Sequence, residues 1–269
     1  MKLGFIGSND LNVLKSDALF AADHGFTGLE FNWWTTFKDV TADTVVQMRA
    51  ILDDYGVKAS ALGLWGWNHT SPDAAERQEA HLMLNRAIEF AHTLGAEVFV
   101  TGGGQVPDGD LAANVAAFTE VFPPFMDKMR QAGLRPAFYA VHGNSFFTSL
   151  KSYEAVWESL PEVGIKFDPA NWLHHGDDYI SVLRRAGDKI AYVHIKEHLY
   201  HNGDLASQPP AGMGDIEWGK VMAFLYEADY DGYLSFEPHG DVWGWGDRAH
   251  RMRTKMLLLS KKYLDQFLL

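Results

Sequence analysis

The chain has 269 residues, 47% of them hydrophobic, no cysteine and a formal net charge of −12. The missing thiols exclude disulfides, thiolate catalysis and Cys-ligated zinc, and an acidic balance without Lys/Arg clusters disfavours nucleic acid as a partner. The opening MKLGFIGSND has too short an apolar run for a signal peptide, and no later stretch reaches the roughly 18 apolar residues of a membrane span, so a soluble, cytoplasmic protein with no membrane partner is expected.

In chain order, short strand-like runs at residues 2–6, 27–31, 57–64, 97–101, 135–141, 164–168, 190–196 and 232–237 each precede a longer amphipathic run. Strands alternating with helices imply a parallel sheet, and eight rounds imply closure into an α/β, (β/α)8 TIM barrel, for which about 250 residues suffice. A single domain over residues 1–269 is expected, with a doubly wound open sheet as the alternative. The clearest helices are PDAAERQEAHLMLNRAIEFAHTLG, which Pro72 is placed to open and Gly95 to close, and DIEWGKVMAFLYEA, with Asp215 as the expected cap. The polar run from His198 to Pro210 reads as a loop with the length of a lid.

Four of the later strands run outward into a residue that holds metals or moves protons: His142, Asp168, His194 and Glu237. Carboxylates and imidazoles gathered from several strand ends suit a divalent cation at the carboxyl face of a barrel. Residues two apart share a strand face. Parity therefore turns Tyr192, His194 and Lys196 inward together, and likewise Lys166 with Asp168, Ser235 with Glu237, Ala140 with His142, and Glu30 against Leu29 and Phe31. Lys166 reads as a counter-charge to Asp168. Lys196 either pairs with Glu197 or Glu237 or acts on a substrate carbonyl.

Several segments in this order resemble the xylose-isomerase-like barrels, a group of sugar isomerases and epimerases of the hydroxypyruvate isomerase and ketose 3-epimerase type. They are GFTGLEFN, SPDAAERQ, TLGAEVFVTGGG, FDPAN, VHIKEH and AGMGDIEW with YDGYLSFE. The resemblance implies one divalent ion, Mn2+ first, with Mg2+, Co2+ or Zn2+ as alternatives. It also implies ligation by Asp168, His194 and Glu237, and proton transfer next to the carbonyl of a sugar or keto-sugar through a metal-stabilised enediolate. Where the family reads Glu-Asn-His on strand five, this chain reads Ala140-Val141-His142, so the expected carboxylate is missing. His142, beside a Gly-Asn turn, is the nearest candidate by parity for the fourth metal ligand, and two-base epimerisation loses one of its bases. The catalytic expectation is Glu237 as ligand and base, with Lys196 and His142 as acid/base or electrophilic partners.

Glu30, His69, Trp67, Asn171 and Trp243 are the expected substrate contacts. Seven of nine tryptophans, Trp33, Trp34, Trp65, Trp67, Trp172, Trp243 and Trp245, fall in loops assigned after strands. Such rings can cover the C–H faces of a sugar and leave room for a bulky aglycone. A lyase of the inosose-dehydratase or keto-glycoside-cleaving type is the near alternative, since β-elimination needs one base beside a Lewis acid. An apurinic-site endonuclease is remote, because Leu62, Ala140 and Asn171 occupy places where that family needs metal ligands. A non-catalytic sugar-binding subunit is the last alternative, and homo-oligomerisation is left open.

Overall fold

The computed structural model describes residues 1–139, 144–245 and 249–269, with Ala249 and His250 as backbone only. Ala140 and His142, the expected strand-five departure and fourth ligand, lie outside the described residues. The strands are β1 (Lys2–Ile6), β2 (Gly28–Trp33), β3 (Lys58–Leu64), β4 (Val98–Thr101), β5 (Arg135–Phe138), β6 (Gly164–Phe167), β7 (Ile190–Ile195), β8 (Leu199–His201), β9 (Asp204–Ser207) and β10 (Tyr233–Phe236). Eight of them close into a parallel barrel in the order β1-β10-β7-β6-β5-β4-β3-β2, while β8 and β9 form a separate two-stranded sheet. Each of the eight runs expected from the sequence overlaps a barrel strand among the described residues. The chain divides into two compact units, Gly7–Lys166 and Met1–Ile6 with Phe167–Leu269.

In the Gly7–Lys166 unit, β2 to β6 pair in sequence order, with one register shift between Leu29 and Glu30. Its helices start on short oxygen-bearing side chains that satisfy otherwise orphaned amides. Asp10 accepts from Asn12 N and Val13 N ahead of Leu11–His24, Thr41 from Thr44 N ahead of Ala42–Asp54, and Asp73 from Glu76 N ahead of Ala74–Leu94. Asp73 is the cap of the last helix, so Pro72 lies outside it rather than opening it. Gly95 closes that helix at φ 74°, the left-handed conformation a side chain would resist. Buried aromatic rings fill the space behind β5. Phe118 stacks on Phe122 with centroids 4.3 Å apart and meets Phe147 edge-on at 5.1 Å.

In the other unit, β1 pairs with β10 and β10 with β7, which sets Ser235 opposite both Gly4 and His194. The helix Trp218–Glu227 buries Trp218, Val221, Met222 and Leu225, a stripe with the helical period. Asp215 does not cap it. Its carboxylate accepts from Tyr200 N at 2.7 Å, and Glu217 precedes the helix without a side-chain bond. The expected loop after β7 is largely the β8–β9 hairpin, turned at Asn202 and Gly203 with φ of 53° and 90°. No helix among the described residues is long and apolar enough to cross a membrane.

Candidate active site

Three groups able to hold a metal ion converge at the ends of β6, β7 and β10. One donor atom each from Asp168, His194 and Glu237 lies within 4.8 Å of the others. Local sequence explains each position. Pro169 starts a short helix, and Asp168, just past β6, caps it by accepting Asn171 N at 3.2 Å on Oδ1 and Asn171 Nδ2 at 2.7 Å on Oδ2. His194 is the fifth residue of the fully buried β7. Glu237 extends the ladder beyond β10, its N–H donating to Ile195 O at 3.1 Å.

Lys196, two residues beyond His194 on the same face, inserts its ammonium between the two carboxylates. Its Nζ is 3.1 Å from Asp168 Oδ2 and 3.3 Å from Glu237 Oε2. His194 Nδ1–H donates to the same Glu237 Oε2 at 3.0 Å and lies 3.9 Å from Asp168 Oδ2. The other Glu237 oxygen, Oε1, faces His239 Nδ1 at 3.4 Å. Burial opposes charge on Lys196, yet Asp168 and Glu237 outweigh it and hold the ammonium above its ordinary pKa. Burial likewise opposes ionisation of Glu237, but Lys196 and then His194 hold its carboxyl well below the usual carboxylate range. Glu237 is therefore an ionised acceptor and Lys196 a charged donor. The donor set of two carboxylates and one imidazole fits a divalent cation.

Two neighbours take roles other than those the sequence suggested. Glu197 turns away from Lys196 and accepts from His198 N, Gly212 N, Ile216 N and Trp218 Nε1, all at 2.9 to 3.0 Å. His198 bridges Tyr200 Oη at 3.3 Å and Gln208 Nε2 at 3.1 Å. Burial, reinforced by the Lys196 charge, pushes it down to about 4, so it is neutral at pH 7.

The other sequence candidates take varied places. In the Gly7–Lys166 unit, Glu30 is fully buried, its Oε1 accepting Asn32 Nδ2 at 2.8 Å while Asn32 Oδ1 accepts Trp65 Nε1 at 2.9 Å. His69 is buried against Thr101, with its Nε2 at 3.2 Å from the hydroxyl. Lys166 sits 3.6 Å above the Tyr139 ring, and Lys196 Nζ lies against Asp168 Oδ2. Trp67 is buried edge-on to Phe37. Trp65 and Trp67 line a small pocket with Gly102, Tyr139 and Ser145, and the expected placement of the tryptophans in loops is corrected in part. Trp33 belongs to β2, Trp172 to the helix Pro169–His174, and Trp33, Trp65, Trp67 and Trp172 are each at most 7% exposed. Trp243 is half-buried in the π-helical turn Asp241–Trp245, and Trp34 and Trp245 are exposed.

A family model described as xylose isomerase-like TIM barrel matches residues 18–262. Inosose dehydratase of Lacticaseibacillus casei is 24% identical over 218 residues, covering 71% of this chain and 70% of that protein. Among solved structures, D-allulose 3-epimerase from Methylomonas sp. superposes with a TM-score of 0.80 at 19% identity, covering 100% of this chain and 98% of that one. The IOLI protein, solved with a binding zinc atom, gives 0.76 at 17% identity, covering 98% and 97%. At these identities the structural likenesses speak for the fold.

Proposed function

The chain belongs to the xylose isomerase-like TIM barrel family, and from that premise we propose a divalent-metal-dependent isomerase or epimerase that moves a proton next to the carbonyl of a sugar or keto-sugar. The observation that carries this reading is the convergence of Asp168, His194 and Glu237 within 4.8 Å. These three residues would hold the ion, with His142 proposed as a fourth donor. Bound there, a divalent cation supplies Lewis-acid polarisation of a carbonyl. Manganese is the proposed ion, with zinc next, and the cytoplasm the proposed compartment.

Glu237 takes the proton. Its Oε2 is engaged by Lys196 and His194, so the basic atom is Oε1, which faces His239 at the longer distance of 3.4 Å. Lys196, kept charged by two carboxylates, donates to a substrate oxygen and does not act as a base. Asn171 fixes Asp168 and acts through it, while Glu30, His69, Trp67 and Trp243 remain candidate substrate contacts. Glu237→Gln keeps the side chain's shape and removes the base, so its turnover should fall at least about a hundredfold. Unchanged turnover in a screen of ketoses and inososes would overturn the assignment.

The second reading is a lyase, favoured by Ala140 in place of the family's strand-five carboxylate and by the inosose dehydratase likeness. β-Elimination needs one base to take the α-proton and one acid to protonate the departing oxygen, and Glu237 and Lys196 supply that pair. Product mass separates the readings. An isomerase conserves it, whereas a lyase releases water or an aglycone.

A further inference from the structure

We infer that Lys196 is a built-in competitor for the divalent ion, occupying with its ammonium the two carboxylate oxygens the ion needs and so setting the site's metal affinity. The inference rests on the metal site proposed above and concerns a property that the site's donors alone do not determine.

The geometry is a matter of shared atoms. Asp168 Oδ2 and Glu237 Oε2 lie 3.9 and 3.0 Å from His194 Nδ1, so these two oxygens are the carboxylate atoms gathered around the imidazole. They are also the two that Lys196 Nζ contacts, at 3.1 and 3.3 Å. An ammonium and a divalent cation cannot both take the full attraction of the same oxygens, and two cations beside one pair repel. Side-chain length gives the ammonium its position. Lys196 follows β7 directly on the face of His194, and both are buried, 4% and 2% exposed, so the charge has no route to bulk water without leaving the cluster.

Two consequences follow for the wild-type chain. Without an ion, Lys196 neutralises part of the charge on buried Asp168 and partly exposed Glu237. Were an ion bound to the same two oxygens, Lys196 would compete with it for them, and the net affinity would be the difference between the two states. A neutral residue of similar length at this position removes the competitor and leaves the donors in place.

The test measures metal binding directly. Mn2+ is titrated calorimetrically into wild-type protein, Lys196→Met and Lys196→Arg, each stripped beforehand with a chelator. Lys196→Met should bind Mn2+ at least about tenfold more tightly than wild type, and Lys196→Arg, which keeps the charge, should bind no more tightly than wild type. If stripped Lys196→Met does not stay folded, the loaded variant is prepared in Mn2+ and its rate of ion loss to excess chelator is compared with wild type. Slower loss supports the inference. Equal or weaker binding by Lys196→Met, or equal or faster loss, overturns it while leaving the metal site standing. Absence of Mn2+ binding in all three proteins overturns both the inference and the metal reading beneath it.

Discussion

His69 Nε2 lies 3.2 Å from Thr101 Oγ1, and that hydroxyl spends its one proton on Leu64 O at 3.0 Å. The hydroxyl can then only accept from the imidazole, so His69 carries its proton on Nε2. The buried Nδ1 is left as a lone pair with no hydrogen-bond partner among the described residues. Burial, with His81 nearby, lowers the pKa of His69 to about 3.

A pH dependence of stability follows from that depressed value. Between about 3 and the ordinary 6.5, the unfolded chain binds a proton that the folded chain refuses. The contribution is complete above pH 6.5 and is lost as pH falls, reaching about 2 kcal/mol at pH 5. His69→Gln keeps a donor for Thr101 and removes the titration. Urea midpoints between pH 7.5 and 4.5 should therefore fall less steeply in the variant. Parallel curves would refute this account.

Gly63 tests the packing around Glu30. A Cβ there would collide with Asn32 Oδ1, the atom that accepts Trp65 Nε1. Gly63→Ala should cost about 2 kcal/mol by displacing the amide that also holds Glu30. Equilibrium denaturation with an unchanged midpoint would show that Asn32 moves aside freely.

Glu197 is expected to matter for stability more than its place beside Lys196 suggests. Glu197→Ala leaves three backbone N–H groups and the Trp218 indole without their acceptor, a loss of about 3 kcal/mol. Glu197→Gln retains one acceptor oxygen and should lose about half as much. Chemical unfolding of both variants checks the order, and equal losses would contradict it.

Ion binding to the folded state alone should raise the thermal midpoint. At Mn2+ a hundredfold above its dissociation constant the gain is about 2.7 kcal/mol, or roughly 5 °C for a chain of this size. Asp168→Asn retains an acceptor for Asn171 N but weakens the donor set, so its shift should shrink to about 1 °C or less. A full shift in the variant would remove Asp168 from the proposed ligands.

The barrel and the cluster at its strand ends were legible because they follow local rules. Strand and helix periods mark the elements, and parity alone puts His194 and Lys196 on one face. Where the sequence misled, the deciding contact lies far away along the chain. Nothing near Asp215 signals that Tyr200 N will claim its carboxylate instead of the following helix. Position after a strand likewise says nothing about how far a ring is covered, and Trp67 is buried with its ring edge-on to Phe37. The partners of Glu197 lie up to 21 residues downstream, beyond any periodic pattern. That distance is why its role emerged only in three dimensions.

The same carboxylate has a consequence for how this fold can vary. One Glu197 oxygen accepts from His198, where the chain leaves β7, and its pair of oxygens also accepts from Gly212 and Ile216, where the chain comes back. Everything between is an excursion tied shut at its neck, and the β8–β9 hairpin is its free end. Such a cassette can be shortened, lengthened or exchanged at Asn202 and Gly203 while the neck keeps Lys196 and His194 at their stations. A change of length at the hairpin tip thus leaves the four hydrogen bonds at the neck in place.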